Sequence, residues 1–342
     1  MSQEQNAGRT SARAVATGVG SLPGEDVHEA VRMVLGELPE LPYLPELPAR
    51  GAIASMTGRT LAVVAELGFD LQPAGWRLTD APGIDQRRAR SLLAQDLDAL
   101  EERAQEAGAF EDGGELKVQV AGPWTLAATV ERPRGDRLLA DHGARREVAQ
   151  ALAEGVAVHV ADLRRRLPGA TLLVQVDEPA LPAVLAARVP TASGFGRHRS
   201  VDAPRASEAL EAVFTAITDA GAIPVAHCCA GDVPLGLLRG AGARAVSVDL
   251  DVLEAAGYDD LGTALDEGDR VFLGVVPSTD PARVPAEKQV VERVLRLLDM
   301  LGFDPDDVAA QLVLTPACGL AGATPSYARE ALALVRASAS RL

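Results

Sequence analysis

The chain has 342 residues, 47% hydrophobic and 24% charged, with a formal net charge of −15. That size buries a large core, either as two modest domains or as one α/β barrel with added segments. The acidic balance argues against nucleic acid and anionic membranes as partners. No apolar run reaches the ~18 residues of a membrane span, the polar start MSQEQNAGRTSARAV has no signal core, and three cysteines make no disulfide scaffold, so a cytoplasmic location is expected.

In chain order, residues 1–12 are expected to be a flexible tail, and residues 13–342 a single domain. Short β-like runs then alternate with longer amphipathic stretches. The runs are RAVATGVG (13–20), LPYLPE (41–46), LKVQVAG (116–122), TLLVQVDE (171–178), AIPVAHC (222–228), ARAVSVDLD (243–251), RVFLGVVP (270–277) and QLVLTPAC (311–318). The second carries two prolines, which fit poorly in a sheet interior. Helical spacing marks 27–38, 146–167, 207–221, 285–302 and 326–342.

Strands alternating with helices imply parallel strands joined by crossovers, and eight runs imply a (β/α)8 barrel. An open doubly wound sheet is the alternative. Its one supporting motif, GAGARA (240–245), precedes a strand instead of following one, which is the wrong geometry for a dinucleotide loop. The stretch 51–115 is long for one connection, so an extra helical insertion is expected after the second strand.

In such a barrel, chemistry sits where strands end. Ser21, Glu46, Asp177, Glu178, His227, Cys228, Cys229, Asp249, Asp251 and Cys318 all fall at or just beyond run ends. Residues two apart on a strand share a face. His227 and Cys229 can therefore grip one ion while Cys228 faces away as a small core residue. Cys318 arrives three strands later at the same mouth. Imidazole plus two thiolates is a zinc-type ligand set, with Asp249 as an oxygen donor for a fourth, labile position. The competing readings are buried small residues or a Cys229–Cys318 disulfide, the latter disfavoured in a reducing compartment. Asp177 and Glu178 could hold an ammonium, act in proton transfer or cap the next helix. His28, His142, His159 and His198 read as structural.

The stretches GVGSLPG, LPELPARG, VAGPWTLA, LVQVDEPAL, VAHCC, VSVD and TPACGL, in this order, resemble the catalytic domain of cobalamin-independent methionine synthase. The resemblance runs from about residue 14 to the C-terminus. It implies a zinc-bearing (β/α)8 barrel that moves a methyl group to homocysteine sulfur. It also implies His227, Cys229 and Cys318 as catalytic zinc ligands, with Asp249 where the family usually has Glu. Ser21 would hold the homocysteine carboxylate, and Asp177 with Glu46 its ammonium.

Two departures bear on the methyl donor. Full-length members carry a second barrel that helps bind a folate donor, and a histidine after the seventh strand, where this chain reads VVPSTD. The chain is thus most like the short single-domain members, and a methyl-corrinoid donor, as methylcobalamin or a corrinoid protein, is expected in place of methyl-folate. The alternatives are a zinc enzyme methylating another thiol, or a barrel decarboxylase of the porphyrinogen type.

Overall fold

The computed structural model describes residues 13–342; the expected N-terminal tail lies outside them. Nine strands form: β1 (Val15–Ala16), β2 (Gly68–Gln72), β3 (Gly75–Thr79), β4 (Glu115–Ala121), β5 (Thr171–Asp177), β6 (Ile223–Cys228), β7 (Ala245–Asp249), β8 (Arg270–Val276) and β9 (Leu312–Pro316). Seven of them make one curled parallel sheet in the order β1-β9-β8-β7-β6-β5-β4. Their near-continuous Val, Leu and Ala runs suit strands buried on both faces.

The expected second strand is not one. Pro42 and Pro45 remove ladder donors within this segment. The segment nevertheless bonds to both edges of the sheet. Glu46 N–H donates to Gly20 O at 3.0 Å and Leu22 N–H to Glu46 O at 2.8 Å, while Leu44 N–H donates to Lys117 O at 3.0 Å and Lys117 N–H to Pro42 O at 2.9 Å. The long connection that follows is only partly helical. Helices Met56–Val63 and Ile84–Glu106 flank an antiparallel hairpin of β2 and β3, which the sequence reading did not contain.

Long helices pack outside the sheet and start at caps legible in the sequence. Asp26, Asp141, Asp202 and Thr324 each accept a backbone N–H in the first turn of the helices Val27–Glu37, His142–Arg166, Ala203–Asp219 and Pro325–Ala339. No described helix is long and apolar enough to cross a membrane.

The two faces of the sheet bury different sets. One set, including Val174, Val176, Ala226, Cys228, Val246 and Val248, joins the main core with the helices. The other makes a separate cluster from successive strands: Leu41, Leu173, Val225, Ala245, Phe272 and Val313. This second cluster is an apolar floor. Two residues further along β5, β6 and β7, on the same face, stand Gln175, His227 and Ser247.

Candidate metal and substrate site

His227, Cys229 and Cys318 come together at the C-terminal ends of β6 and β9, with one potential ligand atom from each within 4.8 Å of the others. Alternation along β6 separates the two adjacent cysteines. Cys228 is fully buried in the outer core, and Cys229, just past the strand, is half-buried and turned to His227.

The sulfurs of Cys229 and Cys318 are 3.2 Å apart. That is well beyond a disulfide bond of about 2.05 Å, so both cysteines are free. The shared contact pushes the Cys318 thiol down, helped by His227, and the Cys229 thiol up. The lowered thiol is the one disposed to the thiolate form, which binds metal. His227 Nδ1 lies 2.9 Å from Ser247 Oγ, which leaves Nε2 for the cluster. The residues present thus fit a zinc ion: three soft or borderline donors, a fixed imidazole and a position left for a further ligand.

Asp249 stands apart from this group. Its carboxylate is not among the clustered ligand atoms, and its Oδ1 accepts the Asp251 N–H at 2.8 Å. In this arrangement the side chain closes the turn after β7, and the Cys318 charge still reaches it. Burial, followed by the neighbouring Asp251 charge, pushes its carboxyl up, against the Asp251 N–H, which favours the ionised form.

A cavity of about 270 Å³ opens beside the cluster, lined by Ser21, Glu46, Asp177, His227, Cys229 and Cys318 among others. It contains every expected site residue except Asp249. Ser21 and Glu46 face each other as paired residues on neighbouring segments. Leu320 N–H donates to Ser21 O at 2.8 Å, tying the loop after Cys318 to the loop after β1. Gly319 keeps this approach close, since a Cβ at that position would stand 2.1 Å from Ser21 Oγ and displace the hydroxyl.

Beneath the cavity lies a charged layer that the sequence reading did not identify. Lys117 is fully buried, with Nζ donating to Val19 O at 2.8 Å. Gln175 Nε2 donates to Val19 O at 2.9 Å and to Asp177 Oδ1 at 2.7 Å. Glu46 Oε1 is 3.5 Å from Arg59 Nε, and Arg59 is held in turn by Asp96, which also takes a two-pronged contact from Arg50 at 2.7 and 2.8 Å. Burial pushes Asp177 up to about 7 against the pull of His227, and pushes Glu46 up against Arg59 and Lys117. Burial likewise lowers Lys117 to about 7, against Asp177 and Glu46. A cation entering beside the two acids favours their ionised forms.

Glu178, next to Asp177, points the other way along the chain. It accepts Trp124 N–H at 2.8 Å, Thr125 N–H at 2.8 Å and Thr125 Oγ1–H at 2.7 Å. Glu178 caps a helix, but the earlier one, Pro123–Thr129, and not the next one as the sequence suggests, while Asp177 faces the cavity. Gly122 makes room for the contact, because a Cβ there would lie 2.3 Å from Glu178 Oε1. The alternation of Lys117 and Gln119 with Leu116, Val118 and Val120 was the available signal for the buried lysine. Arg59 and Asp96 sit on helices with no such signal.

A family model described as the catalytic domain of cobalamin-independent synthase matches residues 14–341. No curated protein matches the chain. Among solved structures, a B12-independent methionine synthase from Shewanella sp. W3-18-1, in complex with selenomethionine, superposes with a TM-score of 0.59 at 12% identity, covering 96% of this chain and 97% of that one. A 2,3-dimethylmalate lyase of the PEP mutase/isocitrate lyase superfamily aligns at a TM-score of 0.39 and 11% identity, over 93% of this chain and 80% of that one. A β-mannanase from a symbiotic protist of the termite Reticulitermes speratus aligns at 0.43 and 10%, over 94% and 87%. The family match spans nearly the whole described chain and sets aside the decarboxylase alternative: the chain belongs to the cobalamin-independent methionine synthase family, as its catalytic domain, and is an enzyme of that methyltransferase type.

Proposed function

We propose that the enzyme methylates the thiol of homocysteine to give methionine, with zinc held by His227, Cys229 and Cys318. The observation that carries this reading is the juxtaposition, in one cavity, of a three-residue soft-metal set with two buried carboxyls and Ser21. Zinc at such a site lowers the pKa of a bound thiol and keeps it as a thiolate at neutral pH, where a free thiol is mostly protonated.

The protein's own residues then divide the remaining work. Asp177 and Glu46 take the substrate ammonium. Ser21 takes the carboxylate on the opposite wall. Together they aim the substrate sulfur at the His227, Cys229 and Cys318 cluster. Ser247 fixes the His227 ring. Gln175 fixes Asp177, and Arg59 with Lys117 keeps Glu46 and Asp177 from accumulating uncompensated negative charge. Asp249 is not assigned as a ligand. The similar Shewanella enzyme was solved with selenomethionine, the selenium counterpart of the proposed product.

The corrinoid donor expected from the sequence finds no support in these comparisons, because the family is described as cobalamin-independent. The reading therefore takes methyl-folate as donor. The test is purified zinc-loaded protein with homocysteine and, in separate reactions, methyltetrahydrofolate, methylcobalamin or an S-methyl compound, with methionine measured by mass spectrometry. Methionine from the folate arm supports the reading. Methionine from the methylcobalamin arm alone restores the corrinoid donor, and no methionine in any arm overturns the acceptor assignment.

A further inference from the structure

The chain carries 33 basic against 48 acidic residues, yet one stretch of its surface reverses that balance. Two cavities of about 410 and 430 Å³ share His142, Arg145 and Arg205 as lining. Arg146 completes the first, and Arg197 and Arg199 line the second. Each cavity has a single acid in its wall, Glu208 in one and Asp202 in the other. Neither shares a lining residue with the His227–Cys229–Cys318 cavity.

The guanidiniums here are under-compensated. Among the described residues only Arg205 of the five has an acid within salt-bridge distance, Asp202 at 3.7 Å, and that acid already caps its helix. Arg145 and Arg205 instead converge on one imidazole nitrogen. Arg145 Nη2 is 2.5 Å and Arg205 Nη1 is 3.3 Å from His142 Nδ1. Two cations brought to one imidazole nitrogen repel each other, and the nearby Asp141 and Asp202 charges offset that cost only in part. Burial, and after it the Arg205 charge, lowers the Arg145 pKa. The first cavity also has an apolar wall of Trp124, Ala149, Ala209 and Ala212.

Guanidiniums arranged as converging planar forks match phosphate and carboxylate oxygens, and spread over two joined cavities they match more than one such group. We propose that this groove binds a small oligoanion, a molecule bearing two or more phosphate or carboxylate groups, with Arg145 and Arg205 at its centre and Arg146, Arg197 and Arg199 at its ends. An anion between Arg145 and Arg205 replaces their mutual repulsion with charge-assisted hydrogen bonds. The inference concerns binding alone and does not depend on the proposed reaction.

The test is calorimetric titration of the zinc-loaded full chain with pyrophosphate and, separately, with the tricarboxylate tricarballylate, each at low and high salt. Saturable binding of at least one probe, weakened by salt, is expected. Binding of pyrophosphate alone assigns a phosphate ligand, and binding of tricarballylate alone a carboxylate ligand. Arg145→Gln with Arg205→Gln should weaken binding by about tenfold or more, the loss of one to two charge-assisted contacts, while zinc content stays unchanged. Arg197→Gln with Arg199→Gln, on an exposed loop, gives a second weakened variant should the first pair fail to fold. Failure of both probes to saturate the native protein, or wild-type affinity in the folded variants, overturns the proposal.

Discussion

Along β5 one face runs Leu173, Gln175, Asp177; along β6 it runs Val225, His227; along β7 it runs Ala245, Ser247, Asp249. The same wall thus begins as a dry floor and ends as a charged mouth within four residues. The floor is held by shape, since Leu41, Leu173, Val225, Ala245, Phe272 and Val313 fill it with no polar partner to satisfy. The mouth is held by mutual compensation, since Lys117, Arg59, Glu46, Asp177 and Asp96 are all nearly out of water and depend on one another. A substitution in the floor should cost stability, and one in the mouth should cost function.

The sharpest separation is expected at the sulfur ligands. Cys229→Ser or Cys318→Ser should lower kcat/KM on the order of 10³-fold or more and lower bound zinc, read by metal analysis, with the thermal midpoint of metal-free protein little changed. An equal loss of metal-free stability would break the division. Phe272→Ala should do the reverse, destabilising the fold by about 3–5 kcal/mol in urea denaturation while activity per folded molecule survives. Ser247→Ala tests the boundary between the two levels. It removes the partner that fixes the His227 ring and should weaken zinc binding by about 10–100-fold in a chelator competition.

Two smaller effects sharpen the picture. Burial raises the Glu178 carboxyl from its ordinary value of 4.5 to about 7. The folded state therefore binds more protons than the unfolded state between those pH values, so stability should fall as pH rises through that window. Glu178→Gln should flatten that slope, by at most about 1.4 kcal/mol per pH unit, in denaturation of metal-free protein. The least effect on activity is expected at Cys228→Ser. This thiol faces the outer core, so the change should leave kcat/KM within about twofold while costing about 1–3 kcal/mol of stability for an unpaired buried hydroxyl.

Most of the sheet was legible because its strands are short Val-rich and Leu-rich runs bounded by Gly, Pro and charge, and because i, i+2 alternation alone separates Cys228 from Cys229. The segment 41–46 was located correctly but its form was not, since its prolines deny it a ladder while leaving its other N–H groups free to bond. The β2–β3 hairpin was hidden within a stretch read as helical. Asp249 cannot be sorted from sequence, because a strand-end acid looks the same whether it binds a metal or closes a turn. Arg59 and Asp96 gave no signal, because their pairing spans 37 residues and exists only once the helices pack.

The pairing of residues 42–46 with β1 and β4 has a further consequence. β1 contributes two residues to the sheet, and the segment beside it has no regular strand. Hydrogen exchange should therefore read this junction as the least protected part of the wall. The amides of Leu22, Leu44, Glu46 and Lys117 should exchange before those of β6 and β9. Ser21 and Glu46 ride on that junction, while His227 and Cys318 ride on the better-braced strands. The side of the mouth that carries Ser21 and Glu46 can thus breathe while the side that carries His227 and Cys318 stays closed.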